Sequence, residues 1–180
     1  MDKELNNKLY ICLGNIGKEY ADTRHNAGFI FGQVYLDYLK KEGCNLDTKE
    51  HSDYTLHICK EKHLYLLFPK TLMNLSGRAV EQFLSYTNIA VKIIAVHDDL
   101  DLALGDYKIS LGKGPKTHNG INSVENALQT KDFERIRIGI ENRNGLPISG
   151  LDYVLYKFTT EELTTLMQTC EKIIAEINVH

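Results

Sequence analysis

Three polar clusters contain the side chains of this chain that could do chemistry. They are Gly14-Asn15-Ile16-Gly17 with Tyr20 and His25, then His97-Asp98-Asp99, then His118-Asn119-Gly120. Each comes just after a predicted strand, and Asn74 follows another one. Ligands bind at the carboxyl ends of the strands in open α/β sheets, so we expect these clusters to meet in one pocket.

These residue types favour the activation of water by a general base. A histidine paired with an aspartate, with amide side chains around it, can take a proton from water. No Gly-x-Ser-x-Gly elbow is present, and Cys12 lies in a predicted buried strand, so a nucleophilic mechanism fits poorly. The sequence also lacks a His-Glu-x-x-His or cysteine pair for a metal, although a magnesium site on Asp98, Asp99 and Asp101 stays open as the less favoured alternative.

Each cluster also has a purely structural interpretation. Gly14-x-x-Gly17 alone is typical of a turn, and His25 alone could begin the helix that follows it. Asn74 is an ordinary helix-capping candidate. The stretch 98–101 could be a solvated acidic turn. The functional interpretation depends on these features occurring together.

The composition favours a soluble protein of one domain. The chain has 180 residues, 43% hydrophobic and 25% charged, and can bury a core without disulfides or metal. Its four cysteines lack paired spacing, which indicates a reducing compartment. Met1 to Lys8 is polar, unlike a signal peptide, and no apolar run reaches the roughly 20 residues of a membrane helix. We therefore expect a cytoplasmic protein without a membrane segment. The net charge of −3 implies that any RNA partner binds a local patch.

Strand and helix patterns alternate along the chain and must position the clusters. Predicted strands cover Leu9–Leu13, Tyr54–Cys59, His63–Phe68, Val91–Val96, Tyr107–Leu111 and Arg135–Ile140. Predicted helices start at Ala27, at a cap formed by Asn74 or Ser76, after the loop Gly112–Gly120, and at a capping box of Thr159 and Glu162. We expect Leu84 on the buried face of the second helix and Met167 on the buried face of the last helix. The alternation predicts an α/β fold in a single domain over residues 1–180, with a twisted mixed β-sheet and helices on both faces.

Six runs of the sequence, in order, resemble the signature motifs of bacterial peptidyl-tRNA hydrolases. They are Gly14–Phe29, Pro69–Gly77, His97–Leu102, His118–Gly120, Arg135–Ile140 and Tyr153–Leu155. The resemblance implies an α/β hydrolase whose partner is peptidyl-tRNA and whose reaction cuts the ester between the peptide and the 3′ end of tRNA. It also implies that the enzyme uses no metal and no organic cofactor, and that it is a monomer.

The resemblance implies roles for individual residues. His25 is expected to be the general base, and Asp98 to fix its tautomer and stabilise the imidazolium. Asn15 is expected to separate peptidyl-tRNA from aminoacyl-tRNA. Asn74 and Asn119 are expected to contact the peptide and the attacking water. Tyr20 and Leu72 are expected to contact tRNA. His118 is a neighbouring polar group whose role stays open.

The sequence departs from the family pattern at three places. Ile16 stands where proline is usual, Leu72 where an aromatic residue is usual, and Lys116-Thr117 where a glycine pair usually precedes the third cluster. Lys113 and Lys116 give this loop a local positive charge, and we expect both to contact tRNA phosphates.

Two alternatives belong to different functional classes. The first is a non-catalytic RNA-binding relative, against which the His25 and Asp98 pair argues, because a binder does not need it. The second is a metal-dependent peptidase, which a chelator assay distinguishes from a metal-free hydrolase.

Overall fold

The computed structural model describes residues 6–179, so the first five residues and the last residue of the expected domain 1–180 lie outside it. The strands are β1 (Asn7–Cys12), β2 (Leu46–Glu50), β3 (Tyr54–Cys59), β4 (Leu64–Pro69), β5 (Val91–Ala103), β6 (Tyr107–Leu111) and β7 (Glu134–Glu141). The helices are α1 (Ala27–Lys41), α2 (Ser76–Tyr86), α3 (Asn119–Leu128), α4 (Gly150–Tyr153) and α5 (Thr160–Asn178). Short 3-10 turns occupy Arg24–Asn26, Lys60–Lys62 and Met73–Leu75.

All seven strands pair in one sheet in the order β2-β3-β4-β1-β5-β7-β6. The central strands β4, β1, β5 and β7 are parallel to one another, whereas β2, β3 and β6 pair antiparallel at the two sides. The predicted mixed sheet is therefore confirmed. Parallel strands are covered on both faces, which explains the continuous apolar runs in their sequences.

Two separate cores lie on the two faces of the sheet. Successive side chains of a strand point to opposite faces, and in β1 Tyr10 joins one core while Leu9 and Ile11 join the other. Helices α1 and α5 cover the first core, and α2 and α3 cover the second. Helices on both faces were predicted, and they are present.

Strand β5 continues well past Val96, where the sequence predicted its end. Asp98 and Asp99 lie inside the strand rather than after it, because their backbones pair in register with Ile138 and Gly139 of β7. Adjacent residues of a strand face opposite ways, so the two carboxylates point to different sides of the sheet.

Two further expectations about the elements were wrong. Neither Asn74 nor Ser76 caps α2: Asn74 lies in the preceding 3-10 turn, and the hydroxyl of Ser76 donates to the carbonyl of Met73. Leu84 and Met167 are 40% and 44% exposed, so neither belongs to an inner helix face. The sequence also gave no sign of β2, because four of its five residues are exposed and it lacks apolar alternation.

Helices α2 and α3 pack unusually closely at Gly77. A Cβ atom at this position would lie 2.3 Å from the carbonyl oxygen of Ser123, so only glycine fits. The amide of Gly77 also donates to the hydroxyl of Ser123 at 2.9 Å. This contact holds α2, which follows the turn containing Asn74, against α3, which begins at Asn119.

Within residues 6–179, no helix combines the length and the apolar composition needed to cross a membrane.

Candidate active site

The backbone of His25 is held by the chain segment that follows α4. His25 lies in the 3-10 turn before α1, and its amide donates to the carbonyl of Val154 at 2.8 Å. The amide of Arg24 donates to the carbonyl of Tyr156 at 3.1 Å. These bonds attach the turn to the carboxyl-terminal part of the chain, so the position of His25 depends on a segment that is distant in sequence.

A buried ion pair strengthens this attachment. Both carboxylate oxygens of Glu162 accept from Nη2 of Arg24, at 2.5 and 2.6 Å, and Arg24 is only 4% exposed. Nη1 of Arg24 donates to the carbonyl of Lys157 at 2.7 Å. Glu162 also accepts from the amide of Thr159, which completes the predicted capping box of α5. The residue next to His25 is thus fastened to the start of the last helix.

His25, Asp98 and His118 form one hydrogen-bonded group. Nδ1 of His25 lies 2.9 and 3.0 Å from the two carboxylate oxygens of Asp98. Nε2 of His118 lies 2.9 Å from Oδ1 of the same carboxylate. Asp98 is 2% exposed and His118 is 7% exposed, so water does not compete strongly for these bonds.

The hydrogen bonds determine where the ring protons lie. Nδ1 of His118 accepts from the backbone amides of Gly120 and Ile121 and so caps α3. His118 therefore carries its proton on Nε2 and donates it to Asp98. His25 likewise donates from Nδ1 to Asp98, which leaves the lone pair on its Nε2. A nitrogen lone pair at a cavity wall is what a general base requires.

The charge of Asp98 and the pKa of His25 depend on each other. Burial alone would raise the pKa of Asp98, but the two histidines more than offset it and hold the pKa well below its usual range. Burial alone would lower the pKa of His25, but the Asp98 charge and hydrogen bond raise it above its ordinary value. Asp98 is therefore ionised, and it stabilises a positive charge on His25.

His97 is buried beside this group and stays neutral. Its Nδ1 donates to the carbonyl of Asp98 at 2.7 Å, and its ring meets that of His118 edge-on, with 4.9 Å between centroids. Burial and the neighbouring His118 lower the pKa of His97 to about 3. His97 thus packs behind the site without adding charge to it.

Ligand atoms of His25, Asp98 and His118 lie within 4.8 Å of one another, a set that could hold a metal ion. The proton assignments argue against such a site, because both nitrogens that face Asp98 carry hydrogens and have no lone pair to give. The magnesium alternative is also disfavoured. Asp99 faces away from Asp98 and accepts from Nε of Arg137 at 2.7 Å, so its charge is already paired.

Asn15 is held at the end of β1 by its neighbours. Its backbone exchanges two hydrogen bonds with the side chain of Asn26, at 2.8 and 3.0 Å. Its side-chain oxygen accepts from the amide of Met73 at 2.7 Å. The oxygen of the Asn15 amide is therefore occupied, and its nitrogen remains as a donor.

The three expected clusters meet around a cavity of about 340 Å³. His25, Asp98 and His118 line it together with Asn119 and Lys116. Apolar walls come from three leucine and valine side chains, Leu100, Leu151 and Val154.

Other expected residues lie outside this cavity. Asn74 lines an adjoining cleft, which Asn119 also borders, and Asn15 lines a separate apolar groove. Tyr20, Leu72 and Lys113 are not among the residues lining any of these three spaces.

Lys116 is exposed and lies near one acidic side chain. Its side chain is 88% exposed, and its Nζ lies 3.5 Å from the carboxylate of Asp101. A pair this exposed contributes little to stability, and its charge stays available to a ligand.

Three supporting residues had no role in the sequence-based interpretation. Asn26 fixes the backbone of Asn15, Arg24 fastens the His25 turn, and Arg137 pairs with Asp99. Asn26 and Arg24 flank His25 in sequence, and this adjacency was the one available signal. The partner of Arg24 is distant in sequence, so no local pattern could reveal it.

Comparison with known proteins identifies relatives of the whole chain. The profile of the family described as peptidyl-tRNA hydrolase matches residues 9–180. The peptidyl-tRNA hydrolase of Oceanobacillus iheyensis is 38% identical over 168 residues, covering 92% of this chain and 87% of the relative. That of Geobacillus thermodenitrificans is 41% identical over 165 residues, covering 89% of this chain and 86% of the relative. The crystal structure of peptidyl-tRNA hydrolase from Acinetobacter baumannii matches with a TM-score of 0.79 at 29% identity, covering 99% and 90% of the two chains.

Proposed function

Since the chain belongs to the peptidyl-tRNA hydrolase family, we propose that it hydrolyses the ester bond between peptide and tRNA in peptidyl-tRNA, with His25 as the general base. The observation that carries this proposal is the hydrogen bond from Nδ1 of His25 to the buried carboxylate of Asp98. It leaves the Nε2 lone pair for a water molecule in the cavity. The substrate is an activated ester, so deprotonated water suffices and no protein nucleophile is needed.

The proposed reaction has two proton transfers. Nε2 of His25 takes a proton from water, and the resulting hydroxide attacks the ester carbonyl. The C–O bond to the ribose then breaks, and the ribose oxygen takes the proton from the imidazolium. Asp98 stabilises the imidazolium between these steps, because its charge lies within hydrogen-bonding distance of Nδ1. His118 is a positioning residue in this scheme, since it holds Asp98 from the opposite side.

Amide side chains are proposed to select the substrate. Asn74 and Asn119 would bind the peptide backbone and the attacking water. Asn15 would distinguish a peptide from a free amino group, and its free donor supports this role. An N–H donor can pair with a peptide carbonyl but repels an ammonium group, whose burial without an acceptor is costly.

The tRNA is proposed to bind the rim of the cavity. Lys116 supports this proposal because it is exposed at the cavity wall beside His118. Lys113 lies in the same exposed loop. Tyr20 and Leu72 are proposed to contact the acceptor end, and the exposure of half the Leu72 side chain is compatible with this.

We also propose that residues 1–180 act as one domain, as a monomer, in the cytoplasm. Every side chain of the proposed site comes from this one chain, which supports activity without a partner subunit. All four cysteines are free thiols, in keeping with a reducing compartment. Gel filtration at assay concentration tests the oligomeric state.

The test of this function compares two substrates and three proteins. The wild-type protein should release tRNA from N-acetylaminoacyl-tRNA and leave aminoacyl-tRNA largely intact, in the presence or absence of EDTA. His25→Ala should lower kcat by about 10²–10⁴, the usual contribution of a positioned general base. His63→Asn, which changes an exposed histidine far from the cavity walls, is the matched control and should keep the wild-type rate.

The outcomes separate the alternatives. Near-native turnover by His25→Ala would remove this residue from the mechanism. Binding of tRNA without any hydrolysis would identify a non-catalytic RNA-binding protein, and loss of activity in EDTA would identify a metal-dependent enzyme. Thermal unfolding of the variants is the control for folding.

A further inference from the structure

A second cleft, of about 370 Å³, opens beside the proposed catalytic cavity, between α2 and α3. We call it the amide cleft, because four asparagine side chains line it: Asn74, Asn119, Asn122 and Asn126. Asn119 also lines the cavity of His25, so the two spaces adjoin at this side chain. Asn122 and Asn126 have no role in the reaction described above.

The asparagines form the walls of the cleft. Asn119, Asn122 and Asn126 are at positions i, i+3 and i+7 of α3, which place them on one face of the helix. Asn74 faces them from the turn before α2. All four are exposed, and among residues 6–179 no protein group forms a hydrogen bond with their side-chain amides. Their donors and acceptors are free for a ligand.

Small residues form the floor of the cleft. Gly77 packs directly on the backbone of Ser123, and a Cβ on it would also lie only 3.0 Å from the Cβ of Ala127. The two helices therefore meet without bulky side chains between them, and the longer amide side chains rise on either side.

The charge of the cleft favours a neutral ligand. Arg78 and Glu81 are the charged residues that line it, and they have opposite signs. Arg78 is also paired with Asp53 at 3.2 Å. A track for RNA needs unpaired cations for the phosphates. A peptide backbone is neutral, and an asparagine amide can both donate to its carbonyls and accept from its N–H groups.

The spacing of the asparagines on α3 sets how much peptide the amide cleft can contact. Asn119 and Asn126 are seven residues apart in α3, or about 10 Å along the helix axis. An extended chain advances about 3.3 Å per residue, so the distance from Asn119 to Asn126 matches about three residues of an extended peptide.

We propose that the amide cleft binds the backbone of the nascent peptide upstream of the residue esterified to tRNA, with Asn122 and Asn126 as the distal contacts. The inference rests on the proposed function, because it extends the peptide side of that substrate. Amide pairing with the main chain does not depend on peptide sequence, which suits an enzyme whose substrates differ in every side chain.

The test varies peptide length. One substrate is N-acetylaminoacyl-tRNA with a single residue, and the other carries an N-acetylated tetrapeptide with the same esterified residue. For Asn122→Ala with Asn126→Ala, we expect KM for the tetrapeptide substrate to rise about 5- to 25-fold, the worth of one to two hydrogen bonds. KM for the single-residue substrate and kcat for both should be unchanged.

The control variant is Asn88→Ala with Gln168→Ala, which removes two exposed amides elsewhere and should change neither KM. Alanine is a better helix former than asparagine, so the test variant should fold, and thermal unfolding checks this. An equal rise in KM for both substrates would overturn the proposal and indicate contact with the RNA portion. An unchanged KM for the tetrapeptide substrate would overturn it as well. If the wild-type protein cleaves neither substrate, the proposed function itself fails.

Discussion

At the scale of single residues, the carboxylate of Asp98 determines the state of both neighbouring histidines. It accepts a hydrogen bond from each ring, and its buried charge raises the pKa of His25. A general base works only in its deprotonated form. The activity should therefore be present above the pKa of His25, and it should fall as the pH drops through that value.

Asp98→Asn should lower kcat and also move the pH profile. An amide can present its N–H to His25 and favour the wrong tautomer, so we expect a loss of about 10²–10⁴ in kcat. Without the carboxylate charge, burial dominates and lowers the pKa of His25, so the remaining activity should extend to lower pH. The measurement is kcat/KM against pH for both proteins.

Asp99→Asn is the matched control for this change. Asp99 also borders the cavity, but its carboxylate is paired with Arg137 and forms no hydrogen bond with His25, so its loss should leave the midpoint of the pH profile in place. If Asp99→Asn moved the midpoint and Asp98→Asn did not, the assignment of the two adjacent carboxylates would be wrong.

Asn15→Asp should relax the discrimination between substrates. One carboxylate oxygen can keep the bond to the amide of Met73, and the other would replace the donor N–H with an acceptor. That acceptor attracts the free ammonium of aminoacyl-tRNA. We expect the ratio of kcat/KM for N-acetylaminoacyl-tRNA over aminoacyl-tRNA to fall by about tenfold, which corresponds to about 1.4 kcal/mol. An unchanged ratio would contradict this role for Asn15.

At the scale of elements, the sequence predicted those whose apolar pattern is set by a core. Helix α1 and strand β3 were predicted to within a few residues, because one face of each is buried. Strand β2 was missed, since it is an edge strand that pairs with β3 and has four exposed residues out of five. The extension of β5 was missed for the opposite reason: its buried residues are polar and are held by distant partners.

The candidate site, like the elements, was predictable from the sequence only in part. Its titratable residues are visible in the motifs, and the convergence of His25 and Asp98 followed from the topology of α/β sheets. The role of His118 as a helix cap that also donates to Asp98 was not visible, because it depends on which ring nitrogen faces the helix. Long-range pairs such as Arg24 with Glu162 leave no local pattern either.

The loop between β6 and α3 contains the two lysines that we propose to contact tRNA phosphates. Two of its carbonyls are held in place: that of Lys113 accepts from Ser110 at 2.8 Å, and that of Gly114 accepts from Arg135. The backbone is thus fixed while the two lysine side chains are exposed. Lys113→Ala with Lys116→Ala should raise KM and leave kcat nearly intact. The slope of log KM against log salt should flatten by about 0.7–0.9 for each lost phosphate contact.

Lys49→Ala with Lys172→Ala makes the same change in net charge at two exposed sites away from the cavity. This control should leave the salt slope unchanged. A fall in kcat with an unaltered salt slope in the loop variant would mean that the loop positions Asn119 and does not touch tRNA.

At the scale of the whole molecule, the buried histidines couple folding to pH with opposite signs. The pKa of His25 is raised, so its contribution to stability is complete below the unfolded value of about 6.5 and is lost as the pH rises through the folded value. The pKa of His97 is lowered to about 3, so the unfolded chain binds a proton there that the folded chain does not between about pH 6.5 and 3. Asp98 and Glu162 have lowered pKa values, and their contributions are lost only below about pH 4. Burial lowers the pKa of His57 as well, so between pH 6.5 and 4.5 the loss of stability comes from His97 and His57 together.

In that window the contribution of His97 should lower the free energy of unfolding by about 1.4 kcal/mol per pH unit, and the His97→Asn variant separates it from that of His57. Protonation of His97 would put a positive charge near Arg135 at a site buried from solvent, and the carboxylate of Asp98 compensates only in part. His97→Asn keeps an N–H donor near the position of Nδ1 and removes the titration. Urea unfolding at pH 6.5, 5.5 and 4.5 measures the slope, which should be smaller in this variant by about one proton even if its overall stability is lower. His63→Asn, at an exposed histidine, should retain the wild-type slope. Parallel curves for wild type and His97→Asn would mean that His97 is protonated in the folded state and that its site accepts the charge.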